Sequence, residues 1–316
     1  MKILLANPRG FCAGVNMAIQ TVERVLQLRG APIYVYHEIV HNRHVVESFK
    51  DKGAVFVDSI AQIPPNSTVV YSAHGVCPEI RRQAAARNLE QVDATCPLVA
   101  KVHVEAVRYA RQKYTIVLIG HRDHDEVVGT VGEAPDSIHV VEDLADVQSL
   151  DIPDDHAIAY LTQTTLSVDD AEVLVNALRE RFPRIKSPAK EDICYATTNR
   201  QLAVKQLAPL CDLVLVVGSA NSSNSRRLVE IAENRGVPAR LVEDVDAVDH
   251  EWLRGVGTLL ITAGASAPEE VVRRIVDMLC DRYDATVEDA GQEPRSENLE
   301  FGAPRSLRQL DSASHR

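Results

Sequence analysis

LVLVVGSANSSNSRRLVEIAEN, residues 213–234, is the stretch that decides the fold class. Its first five residues, Leu213–Val217, form a continuous apolar run, the pattern of a strand buried on both faces. Gly218–Ser225 is a loop of small hydroxyl and amide side chains, and helical spacing follows over Arg227–Asn234. Strand, small-residue loop and helix make the βα half of a parallel α/β unit. The same short apolar run recurs at Ile3–Leu5, Ile33–Tyr36, Val55–Val57, Val69–Tyr71, Ile116–Ile119, Ile158–Leu161 and Leu259–Ile261. Helical spacing separates many of these runs, as at Val15–Leu28, Pro97–Arg111, Asp169–Phe182 and Arg200–Leu207. The alternation predicts an α/β fold with parallel sheets covered by helices. In such folds ligands bind at the carboxyl ends of strands. The segments Pro8–Cys12, Ser72–His74, Gly120–His124, Thr162–Thr165, Gly218–Asn224 and Ala263–Ser266 therefore form one candidate functional surface.

The chain has 316 residues and a formal net charge of −11, which excludes an ordinary duplex nucleic-acid partner. Aromatic residues make up only 4%, too few for a base-stacking platform. An anionic ligand has to be held by a local exception to the global field. No apolar stretch approaches the roughly 18 residues of a membrane span, and the opening MKILLANPRGFC lacks the apolar core of a signal peptide. The expectation is a cytoplasmic protein whose six cysteines are thiols or metal ligands. Length alone suggests about two domains, and no Gly/Ser-rich or Pro-rich linker divides them.

Cys12, Cys96 and Cys194 share a setting. Each falls just before an expected helix, and Cys96 is followed by Pro97, which suits a first helical position. A helix N-terminus favours the thiolate, the form that ligates iron or zinc. An isolated cysteine is nonetheless ordinarily a small buried hydrophobe, and no C-x-x-C pair is present. Cys211 and Cys280 fit that description, in apolar helical surroundings. Cys77 follows the Ala73–Gly75 loop and has no assigned role.

His41, His74 and His124 lie in polar segments after expected strands, as do Ser222, Ser223, Asn224 and Ser266. Hydroxyls, an amide and backbone N–H groups at a helix start suit phosphate oxygens, although each such loop read singly is also an ordinary turn or cap. Glu126 lies two residues after His124, and Thr164 lies in TQTTL ahead of an expected helix.

Nine segments occur in a fixed order: ANPRGFCAGV (6–15), VHN (40–42), AHGV (73–76), DATCPLV (93–99), GHRDHDEVVGT (120–130), TQTTLSVDD (162–170), DICYATTNRQ (192–201), VGSANSSNSRRL (217–228) and TAGASAP (262–268). Together they resemble the 4-hydroxy-3-methylbut-2-enyl diphosphate reductases, from Met1 to about Ala285 and again in ENLEFGAPRSLR (297–308). The resemblance implies three similar α/β units with small parallel sheets, pseudo-threefold around a central cluster. The units are residues 14–96, 97–193 and 194–285, with residues 1–13 as a central strand and cluster loop and 286–316 as a polar, partly ordered tail. It implies a [4Fe–4S] cluster on Cys12, Cys96 and Cys194 with one open iron facing the substrate hydroxyl. His41, His74, Ser222, Ser223, Asn224 and Ser266 bind diphosphate by the same resemblance, with His124 beside it. Thr164 approaches the hydroxyl and Glu126 supplies protons. The implied partners are an allylic diphosphate and an electron donor of the ferredoxin or flavodoxin type. The competing reading from the residues is a zinc-dependent or metal-independent enzyme on a phosphorylated metabolite, with a cysteine nucleophile. A nucleotide-binding regulatory module is disfavoured, because G-x-x-x-x-G-K-[ST] and a strand-borne G-x-G-x-x-G are both missing.

Overall fold

The computed structural model describes residues 1–153, 156–289 and 297–314. In chain order the first elements are β1 (Lys2–Leu5), α1 (Ala13–Arg29), β2 (Ile33–Tyr36), α2 (Arg43–Asp51), β3 (Ala54–Val57), β4 (Thr68–Tyr71), α3 (Pro78–Ala86) and β5 (Glu90–Asp93). There follow α4 (Pro97–Arg111), β6 (Thr115–Ile119), α5 (Asp125–Glu133), β7 (Ile138–Val141), α6 (Leu144–Ser149), β8 (Ile158–Thr162) and α7 (Val168–Arg181). The last are α8 (Tyr195–Leu207), β9 (Leu213–Val217), α9 (Ser223–Asn234), β10 (Ala239–Val242), β11 (Thr258–Ala263), α10 (Glu269–Tyr283), β12 (Thr286–Asp289) and α11 (Arg305–Ser314).

The strands form three small sheets, with orders β3-β2-β4-β5, β7-β6-β8 and β10-β9-β11-β1-β12. Every pairing is parallel. The fold is therefore α/β with three parallel sheets. Strands β2–β5 lie within residues 14–96 and β6–β8 within 97–193, while the third sheet adds β1 and β12 to β9–β11. By compactness the chain divides into two units. One comprises Met1–Val15, His41–Glu47 and Tyr195–Leu299 and holds the five-stranded sheet; the other comprises Asn16–Val40, Ser48–Cys194 and the segment from Glu300, and holds the other two sheets.

The continuous apolar runs are explained by which way alternate residues point. In β9, Leu213, Leu215 and Val217 join a core with Val271, Val272, Ile275 and Leu279 of α10. Val214 and Val216 join a second core with Val204 and Leu207 of α8 and Leu228 and Ile231 of α9. The same division holds in β6. Val117 and Ile119 meet α7 through Leu174 and Leu178, while Ile116 and Leu118 meet α4 through Val102, Ala106 and Tyr109. Both faces of these strands are dry, so neither residue parity can be polar.

The tail contributes structure as well. Leu307 and Leu310 of α11 are buried, and the Ser306 hydroxyl accepts the Asp93 N–H at 3.0 Å. Residues 290–296 and 315–316, part of the expected tail, lie outside the described residues. Among the described residues no helix is long and apolar enough to cross a membrane.

Leu260 of β11 is fully buried in the core shared by α8 and α9. Leu260→Ala is expected to lower unfolding free energy by about 2–5 kcal/mol through lost burial and a residual cavity. Denaturant titration checks this, and a change below about 1 kcal/mol would show that the site collapses around the smaller side chain.

Candidate functional site

Each of the three cysteines is tied by its backbone N–H to a carbonyl just past the end of a strand. Cys96 donates to Ala73, past β4, at 2.9 Å; Cys194 donates to Thr164, past β8, at 3.1 Å; Cys12 donates to Ala265, past β11, at 3.2 Å. The chain reaches each cysteine along a segment parallel to that same strand. β5 pairs with β4 ahead of Cys96, and β1 pairs with β11 ahead of Cys12. A single parallel bridge from Lys186 to Ala159 of β8 stands in the same place ahead of Cys194. A helix then starts at the next residue: α1, α4 or α8. No cysteine of the six is in a disulfide, and all are partly exposed.

The helix-start setting extends to a fourth thiol. Cys77 caps α3 with Pro78 at the first helical position. It also packs under α5, where a Cβ on Gly132 would fall 2.2 Å from the Cys77 Cβ. Cys280 lies in α10 against the apolar core, as expected. Cys211 departs from its expected helical setting. It follows α8 and a short 3-10 turn, its thiol donates to the Leu207 carbonyl at 3.4 Å, and burial pushes that thiol up to about 11.

Glu126 is not solvated surface. It lies in the first turn of α5 and is 2% exposed. Its carboxyl accepts the Thr164 N–H at 2.7 Å and the Thr164 hydroxyl at 2.9 Å. Burial pushes the carboxyl up to about 7, against the lowering effect of the two Thr164 bonds. Asp192 lies nearby in the fold, with its side chain fully buried. It accepts the Thr162 N–H at 3.0 Å and pairs with Lys101 at 2.9 Å. Asp192 and Lys101 were not among the residues expected at the site, because single charges in DIC and VAK carry no local signature.

His124 caps α5. Its Nδ1 accepts the Glu126 N–H at 3.2 Å, which places the ring proton of the neutral form on Nε2. The His74 and His124 rings meet edge to face with centroids 5.8 Å apart. The same unit therefore gathers His74, His124, Glu126 and Thr164 with Cys96 and Cys194.

The other unit gathers Cys12, His41, Ser222, Ser223, Asn224 and Ser266. Helix α9 begins at Ser223, four residues earlier than its spacing predicts, because the Ser222 hydroxyl caps the Ser225 N–H. Ser223 and Asn224 therefore occupy the first helical turn rather than a loop. Two glycines admit this turn between β9 and β11. A Cβ on Gly218 would lie 2.2 Å from the Ser225 hydroxyl, and one on Gly264 would lie 2.0 Å from it. The Ser222 and Ser266 hydroxyls are 3.4 Å apart, and Ser266 donates to the His41 carbonyl at 3.0 Å. Among the described residues, the Ser223 hydroxyl and both polar atoms of the Asn224 amide are buried with no hydrogen-bond partner. Unmade hydrogen bonds of this kind cost about 1–3 kcal/mol each. Clustered at the N-terminus of a three-turn helix, the two donors among them, the Ser223 hydroxyl and the Asn224 NH2, suit an anion that supplies the missing acceptors.

The LytB protein family model matches residues 3–280. The chain is 56% identical over 308 residues to the 4-hydroxy-3-methylbut-2-enyl diphosphate reductase of Rhodopirellula baltica, covering 98% of this chain and 96% of that protein. It is 54% identical to the enzyme of the same name from Nocardia farcinica, covering 97% and 91%. Among solved structures it is similar to the E-1-hydroxy-2-methyl-but-2-enyl-4-diphosphate reductase of Plasmodium falciparum. That match has a TM-score of 0.95 and 40% identity and covers 100% of this chain and 99% of that one.

The buried carboxyl has a consequence for stability. In the folded chain Glu126 keeps its proton up to about pH 7, whereas in the unfolded chain it loses it near 4.5. Between these values the folded state holds the extra proton, so stability falls as pH rises, by about 3 kcal/mol across the window. Glu126→Gln removes this slope. Its stability relative to the parent is expected to improve by about that amount between pH 4.5 and 8 in denaturant titrations. A pH-independent difference would mean that Glu126 titrates as an ordinary exposed carboxyl.

Proposed function

Because the chain belongs to the LytB protein family, we propose that it performs the reaction for which its relatives are named. The reaction is reductive dehydroxylation of (E)-4-hydroxy-3-methylbut-2-enyl diphosphate to isopentenyl and dimethylallyl diphosphate, the last step of the methylerythritol phosphate route to isoprenoids. The observation that carries the reading is the Glu126–Thr164 pair, a buried acid that holds its proton near neutrality. Thr164 is itself one backbone hydrogen bond from Cys194.

The donor set fits an iron–sulfur cluster. Cys12, Cys96 and Cys194 are partly exposed thiols outside any disulfide, each directly ahead of a helix whose N-terminus favours thiolate. Each has its backbone held by a strand-end carbonyl. These three thiols would hold a [4Fe–4S] cluster, which would supply one-electron transfer and, with only three protein ligands, Lewis acidity at the fourth iron.

The protein's own groups do the rest. Ser222, Ser223, Asn224 and Ser266 bind the diphosphate with neutral donors at the start of α9, and His41, His74 and His124 complete that set. His124 is oriented in that set by the Glu126 N–H on its Nδ1. The Thr164 hydroxyl orients the substrate hydroxyl and links it to Glu126. Hydroxide is a poor leaving group, and a proton delivered from Glu126 lets it depart as water. The reaction breaks one C–O bond, forms one C–H bond and consumes two electrons and two protons. The electrons come from a small redox protein of the ferredoxin or flavodoxin type. The cytoplasm is the compartment that suits reduced thiols.

Glu126→Gln keeps the shape and the contact to Thr164 but has no carboxylic proton to give. It is expected to retain iron content and substrate binding while turnover falls about 10²–10⁴-fold. A single-turnover assay on pre-reduced protein measures this, and turnover near that of the parent rejects the proton role.

For the anion site, Asn224→Ala is expected to weaken binding of inorganic diphosphate about tenfold, the worth of one buried hydrogen bond to an ion. Calorimetry on the iron-free protein reads it. Equal affinities would place the diphosphate elsewhere.

A further inference from the structure

Two cations, the partly exposed Lys101 and the fully buried Arg200, have no part in the reaction described above, yet each holds the main chain just ahead of a cysteine. Lys101 is the fifth residue of α4, the helix that starts after Cys96. Its ammonium donates to the carbonyls of Lys190 at 2.6 Å and Glu191 at 3.0 Å, and pairs with Asp192 at 2.9 Å. These three residues lead directly to Cys194. Arg200 is the sixth residue of α8, the helix that starts after Cys194. It is fully buried and donates to the Gly10 carbonyl at 2.6 Å, two residues ahead of Cys12. Its second nitrogen meets both oxygens of Glu297, at 2.9 and 3.1 Å, and the Ala196 carbonyl at 2.9 Å. Asn199 adds a hydrogen bond to the same carboxylate.

We propose that Lys101 and Arg200 are positioning residues for the cysteine loops, each a cation on the helix begun by one cysteine that clamps the approach to another. This rests on the cluster reading given above. The two clamps are built alike: a main-chain carbonyl ahead of the cysteine, a helix-borne cation and a carboxylate that balances it, fully buried at Asp192 and largely so at Glu297. Placing thiolates close together is opposed by their mutual repulsion. Loops fixed only by one backbone hydrogen bond would relieve it by spreading. The approach to Cys96 is held through a carboxylate instead: the Asp93 carboxylate accepts the Thr95 N–H at 3.0 Å and pairs with Arg81 of α3 at 3.0 Å. The clamp on Cys12 also gives the C-terminal segment a task. Glu297 lies beyond residue 280, where the family match ends, yet it neutralises the cation that holds the Cys12 loop.

The test reads iron retention rather than turnover. Lys101→Gln and Arg200→Gln proteins, reconstituted anaerobically with iron and sulfide, are exposed to a chelator, and the loss of cluster absorbance is timed. Unfolding of the iron-free proteins is measured in parallel. The expected result is iron release at least about tenfold faster than in the parent, with Lys101→Arg restoring most of the difference. Where a glutamine variant does not fold, Asp192→Asn and Glu297→Gln remove the balancing charge while keeping the shape, and release about threefold faster is expected. Rates within twofold of the parent in the folded variants overturn the proposal. Acceleration that merely tracks lost stability of the iron-free chain overturns it as well. A parent protein that takes up no iron overturns the cluster reading instead.

Discussion

The hydrogen bond from a cysteine N–H to the carbonyl past a neighbouring strand is the constraint on which the arrangement depends. It occurs at Cys96, Cys194 and Cys12, and each acceptor adjoins or belongs to a residue proposed for the site: Ala73 precedes His74, Thr164 is one, and Ala265 precedes Ser266. One bond therefore fixes a thiol and a strand-end loop together. It requires that the segment ahead of the cysteine run parallel to the acceptor's strand, which β5, β1 and the bridge at Lys186 each provide. It also requires a helix to leave at once, which Pro97 enforces after Cys96. Three small sheets are the consequence, because every thiol needs its own pair of parallel segments.

The legibility of the strands follows the same physics. β1, β2, β4, β6, β9 and β11 have a hydrogen-bonded strand on each side, and all of them stand out in the sequence as apolar runs. The four strands without such a signal, β5, β7, β10 and β12, are all sheet edges. EQVD in β5 and TVED in β12 alternate with charge, because an edge strand meets solvent and tolerates polar residues that discourage further pairing. α5, DEVVGTVGE, has two glycines and reads as loop, yet Gly132 is where Cys77 packs. Sequence spacing also starts α9 late, since four small polar residues look like a loop until the Ser222 cap and the close approach at Gly218 and Gly264 are seen.

The residues proposed for the site stand in ordered motifs, but their supports do not. Lys101, Asp192, Arg200 and Glu297 are single charges whose partners lie 91 and 97 positions apart in sequence. No local pattern distinguishes them from surface charges, and most such charges are indeed surface. Burial separates one member of each pair: the side chains of Asp192 and Arg200 are fully inaccessible. A buried charge persists only where its partners are fixed, so these pairs mark places where the backbone has little latitude.

The same logic explains why the acid is a glutamate beneath a strand end rather than a residue on a flexible loop. A carboxyl that keeps its proton to about pH 7 destabilises the folded chain whenever it ionises. Such a group relaxes toward water unless its surroundings forbid it. Here the first turn of α5 fixes its backbone, with the His124 cap on one side and the Thr130 hydroxyl on its carbonyl at the other. The Thr164 N–H and hydroxyl fix both carboxyl oxygens, and the Cys194 N–H fixes the Thr164 carbonyl. Reactive protonation is thus maintained by rigidity at β8, and that rigidity derives from the strand-end hydrogen bond that also fixes the thiol. The placement of the Cys194 thiol and the environment of the carboxyl are consequently coupled through one residue, Thr164, whose N–H holds Glu126 and whose carbonyl holds Cys194.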